Sequence, residues 1–162
     1  MDPDCIVRQA LRSVPACNLA AQHRTDSPVD VTDLAFDIAA DRAPKDVVVT
    51  YGDEWQELSG RLLLSTGSAA TDYVVVLFPA DKMYWLPASR RIAIAKPGTD
   101  GHFVFGGRGP VSIPAGDYRL AAVADLDRDE QYDPAFLTSL VSASIPVAVQ
   151  RGERKVQDLR IR

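Results

Sequence analysis

The side chains best spaced to do chemistry in this chain are carboxylates. Asp125, Asp127, Asp129 and Asp133 stand within Asp-Leu-Asp-Arg-Asp-Glu-Gln-Tyr-Asp. Carboxylates at alternate positions of a loop can converge on one cation, and Ca²⁺ takes about six to eight oxygen ligands. The four fall at the first, third, fifth and ninth positions of such a loop. The pattern then departs, because the sixth position, where a tight turn wants glycine, is Glu130 and the twelfth, where a bidentate carboxylate is expected, is Phe136. Two readings follow: a calcium site that stabilises the fold, or a solvated acidic loop whose last member, Asp133, caps a helix opening at Pro134.

A second group is aromatic. Tyr84 and Trp85, in Met83-Tyr84-Trp85, could offer a flat platform to the face of a sugar ring or to a partner protein. The competing reading has them plug one open end of the fold as core. Arg90, Arg91, Lys96 and Arg108 make either a basic spot or an ordinary charged surface. The two histidines, His23 and His102, are too few for a metal trio without the acidic loop. The serines lack a nucleophile elbow, and the glycines between Gly98 and Gly109 lack the lysine and Ser/Thr of a phosphate loop. The expectation is a protein without catalytic residues.

Composition narrows the partners. In 162 residues, 18 Lys and Arg face 22 Asp and Glu, a net charge of −4, so nucleic acid is not an expected partner. With 46% hydrophobic residues the chain can bury a core, yet its apolar runs fall short of the roughly 18 residues of a membrane span. Met1 to Cys17 differs from a secretory signal, with Asp2 and Asp4 where basic residues belong and Arg8 and Arg12 interrupting the apolar stretch. Cys5 and Cys17 both lie in this tail, so the fold is expected not to depend on a disulfide.

These side chains must be positioned by strands. In Pro114-Ala115-Gly116-Asp117-Tyr118-Arg119-Leu120-Ala121-Ala122-Val123, a turn is followed by the period of two that sends Tyr118, Leu120 and Ala122 to one face. Asp100-Gly101 is a turn signal ahead of Phe103 and Phe105. Together these two strands are expected to form the centre of a β-sandwich. Further strands are predicted at Leu58–Leu64, Tyr73–Phe78 and Ile92–Ala95, with Tyr73–Phe78 central because it is apolar on both faces. Pro134–Val141 carries a helical stripe and is expected to lie across one end of the sandwich.

Residues 1–28 read as a tail, with Ile6, Val7, Ala10, Leu11 and Val14 making one stripe of a short helix. In 30–52, Leu34, Phe36 and Ile38 alternate and 47–51 is β-branched. Ile145, Val147, Val149 and then Leu159 and Ile161 echo that arrangement. Residues 30–52 are therefore either edge strands of the main sheet or the last hairpin of a preceding module, and an edge left open by a missing neighbour would invite pairing with another chain.

Several motifs occur in a fixed order: Glu57-Leu58-Ser59-Gly60, Asp72-Tyr73 leading to Phe78-Pro79-Ala80-Asp81, Ser89-Arg90-Arg91-Ile92, Pro97-Gly98-Thr99-Asp100-Gly101, Pro114-Ala115-Gly116-Asp117-Tyr118, Asp133-Pro134-Ala135-Phe136-Leu137 and Gln157-Asp158-Leu159-Arg160. In this order they resemble the carboxypeptidase regulatory-like domain family, transthyretin-like sandwiches found as tandem modules in bacterial multidomain proteins. The resemblance implies an all-β, Ig-like (prealbumin-like) Greek-key β-sandwich of about seven strands over 53–162. It also implies a spacer or interaction module that contacts neighbouring domains or proteins, without cofactor, in an exported or outer-membrane-associated protein. Its grouping with carbohydrate-binding-like folds adds glycan binding through Tyr84 and Trp85 as an alternative, beside a Ca²⁺-stabilised sandwich.

Overall fold

A computed structural model of the chain describes residues 18–24, 28–30, 32–34, 47–52, 54–108 and 112–161. They fall in two compact units, Met1–Glu54 and Trp55–Arg162. In the first unit, β1 (Asn18–Arg24) lies between β2 (Pro28–Asp30) and β3 (Val47–Gly52), antiparallel to both. Sequence reading expected β3 to pair with a strand through Leu34. Instead Thr32 to Leu34 form a turn and bend, and β3 pairs along six residues with β1, from Asn18↔Gly52 to His23↔Val47. Strand β1 itself lies inside the segment read as a tail. The expected helix over 6–14, both cysteines, Phe36 and Ile38 lie outside the described residues.

The second unit is the expected all-β sandwich. Its strands are β4 (Glu57–Leu63), β5 (Val74–Pro79), β6 (Ala93–Ala95), β7 (His102–Gly106), β8 (Gly116–Val123), β9 (Ile145–Val149), β10 (Arg154–Val156) and β11 (Leu159–Arg160), with one helix, α1 (Pro134–Leu140). One sheet runs β6-β5-β8-β9, antiparallel throughout. The other is centred on β4, which pairs antiparallel with β7 on one edge and parallel with β10 and then β11 on the other. Segments β10 and β11 are thus two halves of one edge strand, and counting them once gives seven strands.

Alternation explains the core between the sheets. Leu58 and Leu62 of β4 and Phe103 and Phe105 of β7 meet Val75, Leu77, Tyr118, Leu120, Val147 and Val149 of the facing sheet. The buried Tyr118 hydroxyl keeps a partner by donating to the Pro114 carbonyl at 2.6 Å. Of the two strands expected to form the centre, β8 is internal to its sheet, whereas β7 is an edge strand paired with β4 alone; the two contribute to one core from opposite sheets and are not paired with each other. The expected terminal hairpin is also a crossing between sheets, since β9 borders one sheet and β11 the other.

The break between β10 and β11 has a local cause. At Gln157 and Asp158 the ladder is interrupted without a change of register; Gln157 donates its N–H to the Ser59 carbonyl at 2.8 Å, and the Asp158 carboxylate accepts the Arg61 N–H at 2.8 Å. A side-chain oxygen there stands in for a carbonyl of the ladder. The Gln157 carbonyl instead lies so close to Gly60 that a Cβ there would overlap its oxygen.

Helix α1 corrects another expectation. It lies on the outer face of the β5/β8 sheet and not across one end: Leu137 and Leu140 pack with Val76, Phe78, Trp85, Ile92 and Ala121 in a second core. Val76 and Phe78 alternate with Val75 and Leu77, so β5 is buried on both faces, as its continuous apolar run requires. The helix starts where sequence reading placed it, with Asp133 accepting the Ala135 N–H at 2.8 Å and Pro134 in the first turn. Among the described residues, no helix is long and apolar enough to cross a membrane.

Substitutions at two positions test these contacts. Gly60→Ala must displace the Gln157 carbonyl, so urea unfolding is expected to show a loss of about 2 kcal/mol or more; a wild-type midpoint would mean that the edge strand is free to shift. Asp133→Ala should cost about 1 kcal/mol and Asp133→Asn much less. An unchanged melting temperature for the alanine variant would show that Leu137 and Leu140 hold the helix without its cap.

Candidate functional site

The acidic loop joins β8 to α1, and its carboxylates are turned to separate local partners. Asp125 accepts the N–H of Leu126 at 3.0 Å, and Glu130, at the sixth position, accepts that of Asp127 at 3.0 Å. Asp129 takes a left-handed backbone (φ 65°), with its carboxylate 3.9 Å from Arg128, while Asp133 is engaged in capping α1. Among the described residues no three His, Cys, Asp or Glu side chains group as metal ligands. The calcium arrangement expected of Asp125, Asp127, Asp129 and Asp133 is therefore not assembled, because short-range hydrogen bonds draw the loop into turns.

Tyr84 and Trp85 are placed by a 3₁₀ turn over 82–84, opened by Asp81, which accepts the Met83 N–H at 3.0 Å. Trp85 then turns inward. It is 5% exposed, lies edge-on to Phe78 with centroids 5.9 Å apart, and donates its indole N–H to the Pro79 carbonyl at 2.9 Å. Lys82 sits over its ring at 5.2 Å. The Arg91 guanidinium lies 4.6 Å over the Tyr84 ring and donates to the Ala115 carbonyl at 3.2 Å. Both rings thus already carry a cation. Trp85 anchors the outer core layer and presents no platform for a sugar. The basic residues are divided as well: Arg91 is held at Tyr84, whereas Arg108 lies over Trp55.

A different surface emerges on the β4 sheet. The face of the β5/β8 sheet away from the core is covered by α1 and the Trp85 loop, but the corresponding face of the β4 sheet carries no such layer among the described residues of this unit. Because Leu58, Gly60 and Leu62 point inward, Glu57, Ser59, Arg61 and Leu63 point out. Register sets Val104 of β7 and Val156 of β10 on either side of Ser59, forming a row across three strands. Val104 is 42% and Val156 74% exposed. The neighbouring row is Gly106, Glu57 and Arg154.

At the start of β4, two guanidiniums share one indole. Arg154 lies 4.2 Å and Arg108 5.6 Å from the Trp55 ring centroid. At the other end Arg61 approaches Asp100 at 4.0 Å, with both side chains largely exposed. The His102 N–H, donated to Asp100 at 3.0 Å, holds that carboxyl below its ordinary value, with lesser help from Arg61. Sequence reading missed this face because Arg154, Lys155 and Val156 lack the apolar alternation that marks a strand. Only pairing with β4, 97 residues away at Arg61 and Asp158, brings Arg154 and Val156 to it.

A cleft of about 620 Å³ on the flank between β9 and β11 is lined by Ser142, Ser144, Ile145, Asp158, Arg160 and Ile161 among others. The β9 edge beside it is blunted: Pro146 has no N–H to offer, and Lys155 donates to the Ala148 carbonyl at 2.7 Å.

No family model matches the chain, and no curated protein matches it. Solved structures with partial similarity include the Bacillus anthracis TIE protein, at 14% identity and a TM-score of 0.42 over 72% of this chain and 18% of that one. A DUF3823 family protein from Bacteroides ovatus matches at 19% identity and a TM-score of 0.37, over 65% of this chain and 42% of the other. The major pilin subunit of Bacillus cereus matches at 10% identity and a TM-score of 0.40, over 94% of this chain and 39% of the other. The chain thus spans less than half the length of each of these three proteins.

Proposed function

We propose that the Trp55–Arg162 unit is a non-catalytic interaction module, a β-sandwich that spaces or docks neighbouring domains or proteins through the outer face of its β4 sheet. The observation that carries this reading is the unequal covering of the two sheets. One outer face is sealed by α1 and Trp85, whereas the other leaves Val104 and Val156 in solvent on a flat, hydrogen-bonded surface. Exposed aliphatic side chains aligned across adjacent strands, with Trp and Arg beside them, match the make-up of protein interfaces. The buried Trp85 lends no support to a sugar platform, and the separated carboxylates lend none to a calcium-stabilised fold.

A photoreactive benzoylphenylalanine at Val156, introduced in cells that naturally make the protein, is expected to give discrete cross-linked adducts on irradiation. The same residue at Ser139, exposed on α1, is the comparison and should give few. Adducts of equal yield at both positions, or none at Val156, would count against a docking face.

A further inference from the structure

We infer that the uncovered face receives an acidic protein segment, its carboxylates held by Arg108 and Arg154 over Trp55 and an aliphatic side chain seated on the Val104–Ser59–Val156 row. The inference rests on the docking role proposed above and names the partner's chemistry. A guanidinium laid over an indole keeps its in-plane N–H groups available, so stacking orients Arg108 and Arg154 without consuming their donors. The two distances to one centroid place both guanidinium carbons within about 10 Å of each other. Among the described residues neither is in an ion pair, whereas Arg61 has Asp100 and Lys155 has Glu153. Like charges gathered on one ring attract a negative group from outside.

The face as a whole is opposite in sign to the chain. Arg61, Arg108, Arg154 and Arg160 lie on it or at its rim with Glu57, Asp100 and Asp158, four positive side chains against three negative. The chain nevertheless carries a net charge of −4, and the loop from Asp125 to Asp133 lies with α1 on the far side of the sandwich. A surface so polarised steers an acidic partner to one face and turns it from the other.

The valine row separates a protein from other polyanions. Nucleic acid or a sulfated glycan would satisfy the arginines but leave Val104 and Val156 facing charged backbone. Strands about 4.8 Å apart make the row roughly 10 Å wide, the width of one or two aliphatic side chains. The arginine row lies two residues along, about 6.8 Å, so an extended segment with Glu two residues from Val meets both.

Fluorescence anisotropy with a labelled Glu-Ser-Val-Ser repeat peptide and the full chain tests this. Saturable binding is expected, weakened by salt, lowered about tenfold or more by Arg108→Gln with Arg154→Gln and less by Val156→Ser or by serine in place of the peptide's valines. All three side chains are exposed or half-exposed, and a thermal melt confirms that each variant is folded. Absent binding, binding indifferent to the arginine pair, or tighter capture of heparin or single-stranded DNA unaffected by Val156→Ser would overturn the assignment. The Val156 cross-link repeated in the arginine double variant separates the two claims. Adducts that persist at full yield there would leave the docking face standing and sink the acidic partner; adducts lost with the arginines support both.

Discussion

Strand β4 must be paired along both edges, and its second partner is the last strand of the chain. That closure is possible because Gly60 has no side chain, so the Gln157 carbonyl can sit where a Cβ would be. Much of the rest depends on it. Where the ladder is interrupted, the Asp158 carboxylate takes the Arg61 N–H that would otherwise be left open. The register continues across the interruption: β11 turns Leu159 into the core, and β10 places Arg154 and Val156 on the outer face. The same close approach therefore seals the interior and composes the exterior.

The two sheets answer the same requirement differently. Strand β5 is apolar on both faces and β8 adds Ala121 and Val123 to the outer one, so their sheet needs a second cover, which the chain supplies from the connections that follow those strands. Trp85 comes from the loop after β5 and α1 from the segment after β8. In the β4 sheet the outward positions include Glu57, Ser59 and Arg61 on β4 and His102 on β7, which tolerate water, whereas Leu63, Val104 and Val156 do not fit that pattern. Burial is obligatory on one side of the molecule and optional on the other, and the interaction surface occupies the optional side.

Most of the sandwich was legible because its information is local. Gly116-Asp117 followed by alternating Tyr118 and Leu120, Asp100-Gly101 ahead of Phe103 and Phe105, and Asp133-Pro134 ahead of Leu137 each carry a turn or cap beside the period it introduces. What escaped was non-local. Arg154, Lys155 and Val156 have no apolar alternation, and only their pairing with Glu57, Leu58 and Ser59 makes them a strand. Strand β1 hides for a related reason: Leu19-Ala20-Ala21-Gln22 has weak β-propensity, and β3 supplies the order. The candidate sites failed where composition stood in for geometry. Alternating aspartates suggested a cage, but Asp125 and Asp133 accept nearby backbone N–H groups and Asp129 lies by Arg128, and adjacent aromatics suggested a platform, but Trp85 had a carbonyl to reach inside.

The parallel pairing of β4 with β10 and β11 also has a mechanical meaning. The first and last strands of the Trp55–Arg162 unit lie side by side and point the same way, so tension applied at the unit's two ends runs along both strands. Such a load shears the ladder, straining its hydrogen bonds together, where an antiparallel terminal hairpin would open one bond at a time. Resistance to stretching is a matter of unfolding rate and not of equilibrium stability. The interruption at Gln157–Asp158 leaves three residue pairs of this clamp on one side and two on the other, in one continuous register.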